Sequence, residues 1–299
     1  MPLAVFEKKS NTNISMEVSP TIFLIDNGSL RAEAHLGLRC LADQLSRLVK
    51  RQVLPVSLLH SNKMPAIKLF GRKACTVKST LHKWVKAGER AFIFLPLFLG
   101  PSRAITDYLP KLIDEERAKT PDLNVVIAPP LAGEFVEDPD IRLAEILASN
   151  VRKTFYRKRL RSVRVAVIDH GTPVKAVNQV RNCVAKQVGE LLGRDVAKVT
   201  ACSMERREGE AYAFNEPLLE NLGKLDDWHG SDLIVAMFFI LPGRHAGRGG
   251  DVAEICETLM QHSVFRSIQP TALMGKHPKL IEILVDRLHS ALGTFTNLE

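Results

Sequence analysis

Aromatic residues are scarce in this chain, at 6% of 299 residues, with only two Trp and three Tyr. That leaves little material for a stacking platform on which single-stranded nucleic acid could lie. The five cysteines (Cys40, Cys75, Cys183, Cys202 and Cys256) are odd in number, widely spaced and form no Cys-x-x-Cys, which excludes a zinc ribbon and a disulfide scaffold. Cys40 and Cys183 fall in amphipathic stretches and are expected to be small buried thiols. No apolar run approaches the roughly 18 residues that a membrane helix needs. The opening residues place Glu7, Lys8 and Lys9 directly behind a very short apolar start. A secretory signal has a longer apolar region behind a positive start, so residues 1–20 read as a loosely held tail and a cytoplasmic protein is expected. There is no phosphate-loop order and no nucleophile elbow.

What the chain does have is a repeat. Residues 22–29 and 165–172 are each an apolar run closing in Asp-x-Gly-Ser/Thr, followed by an amphipathic stretch. Residues 92–101 answer 233–242, and residues 129–151 answer 270–288. Landmarks recurring in one order mark a duplicated domain. The apolar runs are continuous rather than alternating, as in strands covered on both faces, and they alternate with helical patterns. The expected fold is α/β, in two similar lobes, each a parallel sheet flanked by helices. The lobes are placed at 21–152 and 163–299, joined by a basic linker at 153–162.

Strands are expected at 21–26, 53–58, 91–97, 123–128, 163–169, 196–201 and 232–240. Helices are expected at 31–49, 76–88, 105–119, 138–153, 174–192, 215–229, 250–261 and 277–291. In such sheets ligands sit beyond the carboxyl ends of the strands. His170 and His245 both fall at such ends, in the second lobe. Asn27 and the run Ser102-Arg103-Ala104 stand in their places in the first. Two imidazoles on separate loops make a partial, open site for a divalent transition metal, and a closed zinc site would need about four ligands. Gly171 permits a tight turn beside His170, and Thr172, like Ser29 in the other lobe, is placed to cap the following helix. The remaining histidines (His35, His60, His82, His229, His262, His277 and His289) read as surface or packing residues. The glycine-rich segment from Gly243 to Asp251 follows a strand and precedes a helix, where an anion-binding nest is physically possible.

Net charge is +8, and residues 153–164 are dense in Lys and Arg. Few aromatics accompany that run, so it reads as a solvated helix end and linker. No nucleic-acid or membrane partner is expected.

The Asp-His-Gly-Thr turn, the Pro-Gly-Arg-His…Gly-Gly-Asp loop and the late segment 271–288 together resemble class II tetrapyrrole chelatases, in their long two-lobed sirohydrochlorin form. The resemblance spans about residues 21–291. It implies a cobalto- or ferrochelatase that inserts Co²⁺ or Fe²⁺, or Ni²⁺, into sirohydrochlorin or a related tetrapyrrole, for siroheme- or cobalamin-type biosynthesis, with no nucleotide. It implies His170 and His245 as metal-holding residues. Glu216 is the candidate carboxylate, with Glu208 and Glu210 as others. Arg103 and Arg244, with the Gly171 backbone, are candidates for holding the carboxylate-rich substrate. The alternative is a non-catalytic tetrapyrrole- or metal-binding protein of the same fold. A fused repeat completes its own cleft, so a monomer or weak homo-oligomer is expected.

Overall fold

In a computed structural model, which describes residues 19–158, 160 and 163–296, the chain forms two four-stranded sheets, parallel throughout. The first half runs β1 (Thr21–Asp26), α1 (Ala32–Val49), β2 (Val53–Ser57), α2 (Val77–Lys86), β3 (Ala91–Pro96), α3 (Leu109–Arg117), β4 (Asn124–Ile127) and α4 (Ile141–Lys158). The second runs β5 (Val163–Asp169), α5 (Lys175–Leu192), β6 (Lys198–Ser203), β7 (Asp232–Met237), α6 (Asp251–Gln261), β8 (Ser267–Pro270) and α7 (Pro278–Thr296). Strand order is β2-β1-β3-β4 in one sheet and β6-β5-β7-β8 in the other. The same order in both sheets fits the duplication read from the sequence.

The central strands are buried along their length: β3 and β7 wholly, β1 and β5 nearly so. Helices cover both faces, which is why the apolar runs are unbroken. The inner faces of the two sheets and the helices α1, α4, α5 and α7 share one core, including Leu41, Leu147, Val184 and Leu284. Each sheet has a smaller outer core of its own, one around Phe23, Phe94 and Leu112, the other around Ile168, Trp228 and Val252.

The last helix of each half crosses to the other sheet. α4 packs on α5 and β7, and α7 packs on α1, β3 and β4. Polar contacts fix both crossings. Asn150 on α4 donates to Ala272 O at 3.2 Å, and Arg287 on α7 donates to Leu131 O at 2.9 Å and to Asp140 at 2.7 Å.

Three expectations need correction. The expected helix at 215–229 does not form. Two short 3-10 turns, Glu210–Asn215 and Leu219–Lys224, take its place, because the ring of Pro217 bars its neighbour Glu216 from the helical region; Glu216 is extended at ψ 153°. The strand β8 lies where none was expected. Cys40 is exposed rather than buried, since it faces away from the buried side of α1. Of the tail expected at 1–20, residues 1–18 lie outside the described residues, as do 159, 161 and 162 of the basic linker; residues 153–158 are the end of α4.

Candidate metal centre

The chain leaves β5 to one side to make β6 and to the other to make β7. The strand order therefore reverses between β5 and β7, and a crevice opens at their carboxyl ends. His170 follows β5 directly, and His245 lies in the loop after β7. The fold brings their rings to a centroid separation of 4.2 Å, with planes at 49°.

The turn holding His170 is built from backbone constraint and a buried ion pair. Gly171 adopts φ +93°, where a side chain is strained, and a Cβ there would lie 1.9 Å from Glu205 O. Asp169 is buried; its Oδ1 accepts from Gly171 N at 3.1 Å, Ser203 Oγ at 2.9 Å and Arg181 Nη1 at 3.3 Å. Burial pushes the Asp169 carboxyl above its usual range, against the opposing pull of Arg181. Thr172 Oγ1 accepts from Val174 N, two residues on. Ser29 Oγ accepts from Arg31 N in the same way. Both hydroxyls thus close the turn before the helix rather than capping it.

The hydrogen bonds assign the tautomers. His170 Nδ1 is 3.0 Å from Gly171 O, which can only accept, so Nδ1 carries hydrogen. In the neutral ring Nε2 is then a bare lone pair, and it faces Glu205 Oε1 at 3.0 Å. Two acceptors at that distance repel unless a cation lies between them, either a proton or a metal ion. His245 Nδ1 lies 2.6 Å from Asp251 Oδ2, so it too carries hydrogen, and its Nε2 is left with a free lone pair. A carboxylate behind the imidazole orients the ring and raises its basicity as a ligand.

Asp251 begins α6. The glycine-rich loop folds back over that helix start, with Val252 N donating to His245 O at 3.1 Å. Both rings are partly exposed, with 46% of the His170 side chain and 31% of the His245 side chain accessible. Incoming solutes can reach them. Among the described residues no set of three or more His, Cys, Asp or Glu side chains is already arranged to hold an ion. The preformed part is an imidazole pair with one carboxylate against it.

Glu216 is not brought to the pair. Its Oε1 takes Arg206 Nε at 2.7 Å and its Oε2 takes Leu218 N at 2.9 Å. Neither Glu208 nor Glu210 makes a described contact with either ring. Glu205, which sequence reasoning passed over, stands in their place. It lies two residues beyond β6, the neighbour of β5, with its N–H on His170 O at 3.2 Å. Its signal was position alone: three adjacent strand ends deliver Glu205, His170 and His245 side by side.

A cleft of 710 Å³ runs between the lobes. One wall is Asp26–Arg31 with His60, and the other is Ile240–His245. Arg244 lines it, 3.7 Å from Asp251 through its Nε. Arg103 is not among the lining residues; it is exposed and faces Asp107 at 3.9 Å. Arg31 is the first-lobe cation on the cleft, and its Nη2 reaches Gly249 O at 3.4 Å across it.

The first lobe repeats the turn without its equipment. Gly28 has φ +91°, and a Cβ there would lie 1.8 Å from Leu59 O. Asn27 and Leu59 therefore occupy the places of His170 and Glu205. Asp26 is buried with Oδ1 lacking a partner, because Leu38 holds the turn of α1 that Arg181 holds on α5. Burial pushes the Asp26 carboxyl up. Packing across the pseudo-two-fold is exchanged: Leu241 fills the space beside Gly37, while Val180 fills the space beside Gly100.

Residues 21–154 match the CbiX family model. Among solved structures, the chain is similar to SirB from Bacillus subtilis with Fe³⁺, at TM-score 0.64 and 14% identity, over 91% of this chain and 95% of that one. It is similar to the sirohydrochlorin chelatase SirB from Bacillus subtilis subspecies spizizenii in complex with cobalt, at TM-score 0.63 and 11% identity, over 91% and 94%. It is also similar to CbiX, described as the terminal enzyme for biosynthesis of siroheme in denitrifying bacteria, at TM-score 0.54 and 15% identity, over 91% and 99%. No curated protein matches the sequence.

Proposed function

From the premise that this chain has the class II chelatase fold and a CbiX-type first lobe, we propose that it inserts a divalent metal ion into a sirohydrochlorin-type tetrapyrrole. The observation that carries the reading is the imidazole pair at the crevice, with Glu205 Oε1 set 3.0 Å from Nε2 of His170. The ion is substrate rather than resident cofactor. It binds the Nε2 atoms of His170 and His245, with Glu205 as third ligand. Iron and cobalt, the metals in the two SirB structures, are the ions proposed. The macrocycle enters the cleft over the pair, and its peripheral carboxylates meet Arg31 and Arg244. Each Nε2–metal bond is exchanged for a bond to a ring nitrogen, and two pyrrole N–H protons leave. Glu205, freed from the ion, accepts one of them, and water takes the other. The open ligand set suits an ion that must leave again. The second lobe alone carries this site, so one site per chain is proposed.

The test is absorbance of purified protein with sirohydrochlorin and Fe²⁺, Co²⁺ or Ni²⁺ in turn, for wild type, His170→Ala, His245→Ala and Asn27→Ala. Insertion is expected in wild type and Asn27→Ala and lost in both histidine variants. Binding of ring and ion without a product spectrum would instead make the chain a carrier of the same fold. Normal rates in both histidine variants would refute the site.

A further inference from the structure

A second cavity, of 370 Å³, lies on the flank of the first sheet, between α1, the edge strand β2 and the segment leading into α2. Arg39, Arg72, Lys73 and Lys83 line it, and no Asp or Glu does. None of Arg72, Lys73 and Lys83 makes a described ion pair with a carboxylate. Asp43, beside Arg39, is the one carboxylate among the described residues whose charge acts on Arg39, so the four cations leave a net positive charge that raises the energy of the fold and that a bound anion would relieve.

We propose that this cavity is a binding site for a small ligand bearing two or more oxyanion charges, a phosphate or polycarboxylate. Arg39 and the backbone of the neighbouring loop are held in place. Arg39 donates to the backbone carbonyls of Leu69 at 3.1 Å and Arg72 at 2.7 Å, which fixes the loop carrying Arg72 and Lys73. Burial, and the Arg72 guanidinium beside it, hold the Arg39 pKa below its ordinary value. The volume is ordinary for a small-molecule site.

The corresponding flank of the second lobe also carries a cavity, but there Glu190 lines it beside Lys186 and Lys198. Ser57 N bonds Cys75 O in one lobe, and Ser203 N bonds Pro217 O in the other. The two segments are thereby in register, with Lys73 matching Asn215 and Ala74 matching Glu216. Asn215 is fully buried and closes its segment onto Thr172 through two hydrogen bonds. Glu216 carries a negative charge there and pairs with Arg206. In the first lobe a lysine and an alanine leave that space open and positive.

Cys75 lines the cavity and is exposed, and Cys40, exposed on α1, serves as an internal control. The experiment is alkylation of the full chain by neutral iodoacetamide, read per cysteine by mass spectrometry. The probes are inorganic pyrophosphate and citrate, with sodium chloride at matched ionic strength. Occupancy at ten times Kd should slow Cys75 labelling about tenfold and leave Cys40 unchanged. Arg72→Gln and Lys83→Gln should each weaken that protection while leaving metal insertion unaltered. Protection by pyrophosphate alone marks a phosphate site, by citrate alone a polycarboxylate site, and by both a general oxyanion site. No protection by either, equal slowing by sodium chloride, or full protection in both variants would overturn the proposal.

Discussion

Gly171→Ala and Gly28→Ala apply one perturbation to two equivalent turns, only one of which carries a histidine of the pair. At Gly171 the added Cβ lies 1.9 Å from Glu205 O, and at Gly28 it lies 1.8 Å from Leu59 O; real Cβ contacts stay beyond 3.0 Å. Each carbonyl must therefore retreat by more than 1 Å, and each alanine must hold a φ above +90°. Strain and displaced strand ends together should cost about 2–4 kcal/mol in either lobe. Thermal unfolding should register the two variants alike. Function should not. In Gly171→Ala the displaced peptide is that of Glu205, and the turn that moves is that of His170. A misplacement near 1 Å costs on the order of 10²-fold in rate. In Gly28→Ala only Asn27 and Leu59 move. The assay pairs a Co²⁺ titration, followed through its visible absorption, with single-turnover insertion into sirohydrochlorin. Matched stability with loss confined to Gly171→Ala is the expected result. Equal loss in both variants, or wild-type insertion by a folded Gly171→Ala, would show that the turn geometry does not set the site.

Four further outcomes follow from contacts described above. Glu205→Gln should weaken metal binding at least about tenfold, because an amide is the poorer ligand, whereas Glu216→Gln should spare it, as a metal titration of both would show. Asp169→Asn should cost about 3–5 kcal/mol in denaturant unfolding, since Arg181, 1% exposed, is left buried without its counter-charge. Asp26→Asn should not; burial raises the Asp26 pKa, so its favourable contribution is present at low pH and lost as pH rises through the folded value, and the variant should gain stability relative to wild type toward neutral pH. Asp140 behaves oppositely: burial acts to raise its pKa but Arg142 and Arg287 outweigh it and hold the carboxyl low, so its contribution, present above the ordinary Asp range, should fade as acid titrates the folded value, and Asp140→Asn should remove that part of the acid-unfolding slope.

Much of this was legible because the repeat writes the same instruction twice. Continuous apolar runs gave the strands, and the histidines at two strand ends could be placed together before any coordinates. Glu205 was missed for a definite reason. The strand now seen at Lys198–Ser203 was expected at 196–201, and that shift left Glu205 well inside a loop instead of two residues past an edge. Glu216 drew attention because a helix was expected behind it, where Pro217 and the short turns allow none. Arg103 matched Arg244 in sequence, yet the first-lobe chain enters its helical run at Ala104 and makes no loop to turn the guanidinium inward. Periodicity shows that α4 and α7 each bury a face. It cannot show which sheet receives that face, so the exchange of helices lay beyond it.

That exchange bears on why a lobe without the histidine pair persists. α7, which closes the second half in sequence, covers β3 and β4 of the first sheet, and α4 covers β7 of the second. Neither sheet is covered by its own half alone, so removing the first lobe would strip α4 from β7, the strand that delivers His245. The first lobe also supplies Asp26–Arg31 and His60 as the facing wall of the cleft. Its positions matching His170 and Glu205 are thus free to differ, while its core and its wall are not. The substitutions agree: Asn27 and Leu59 differ from their counterparts in chemistry, whereas Gly28 is retained where the backbone requires it. In the proposed reaction one lobe would hold the ion, and the other would hold the geometry in which a ring can be brought to it.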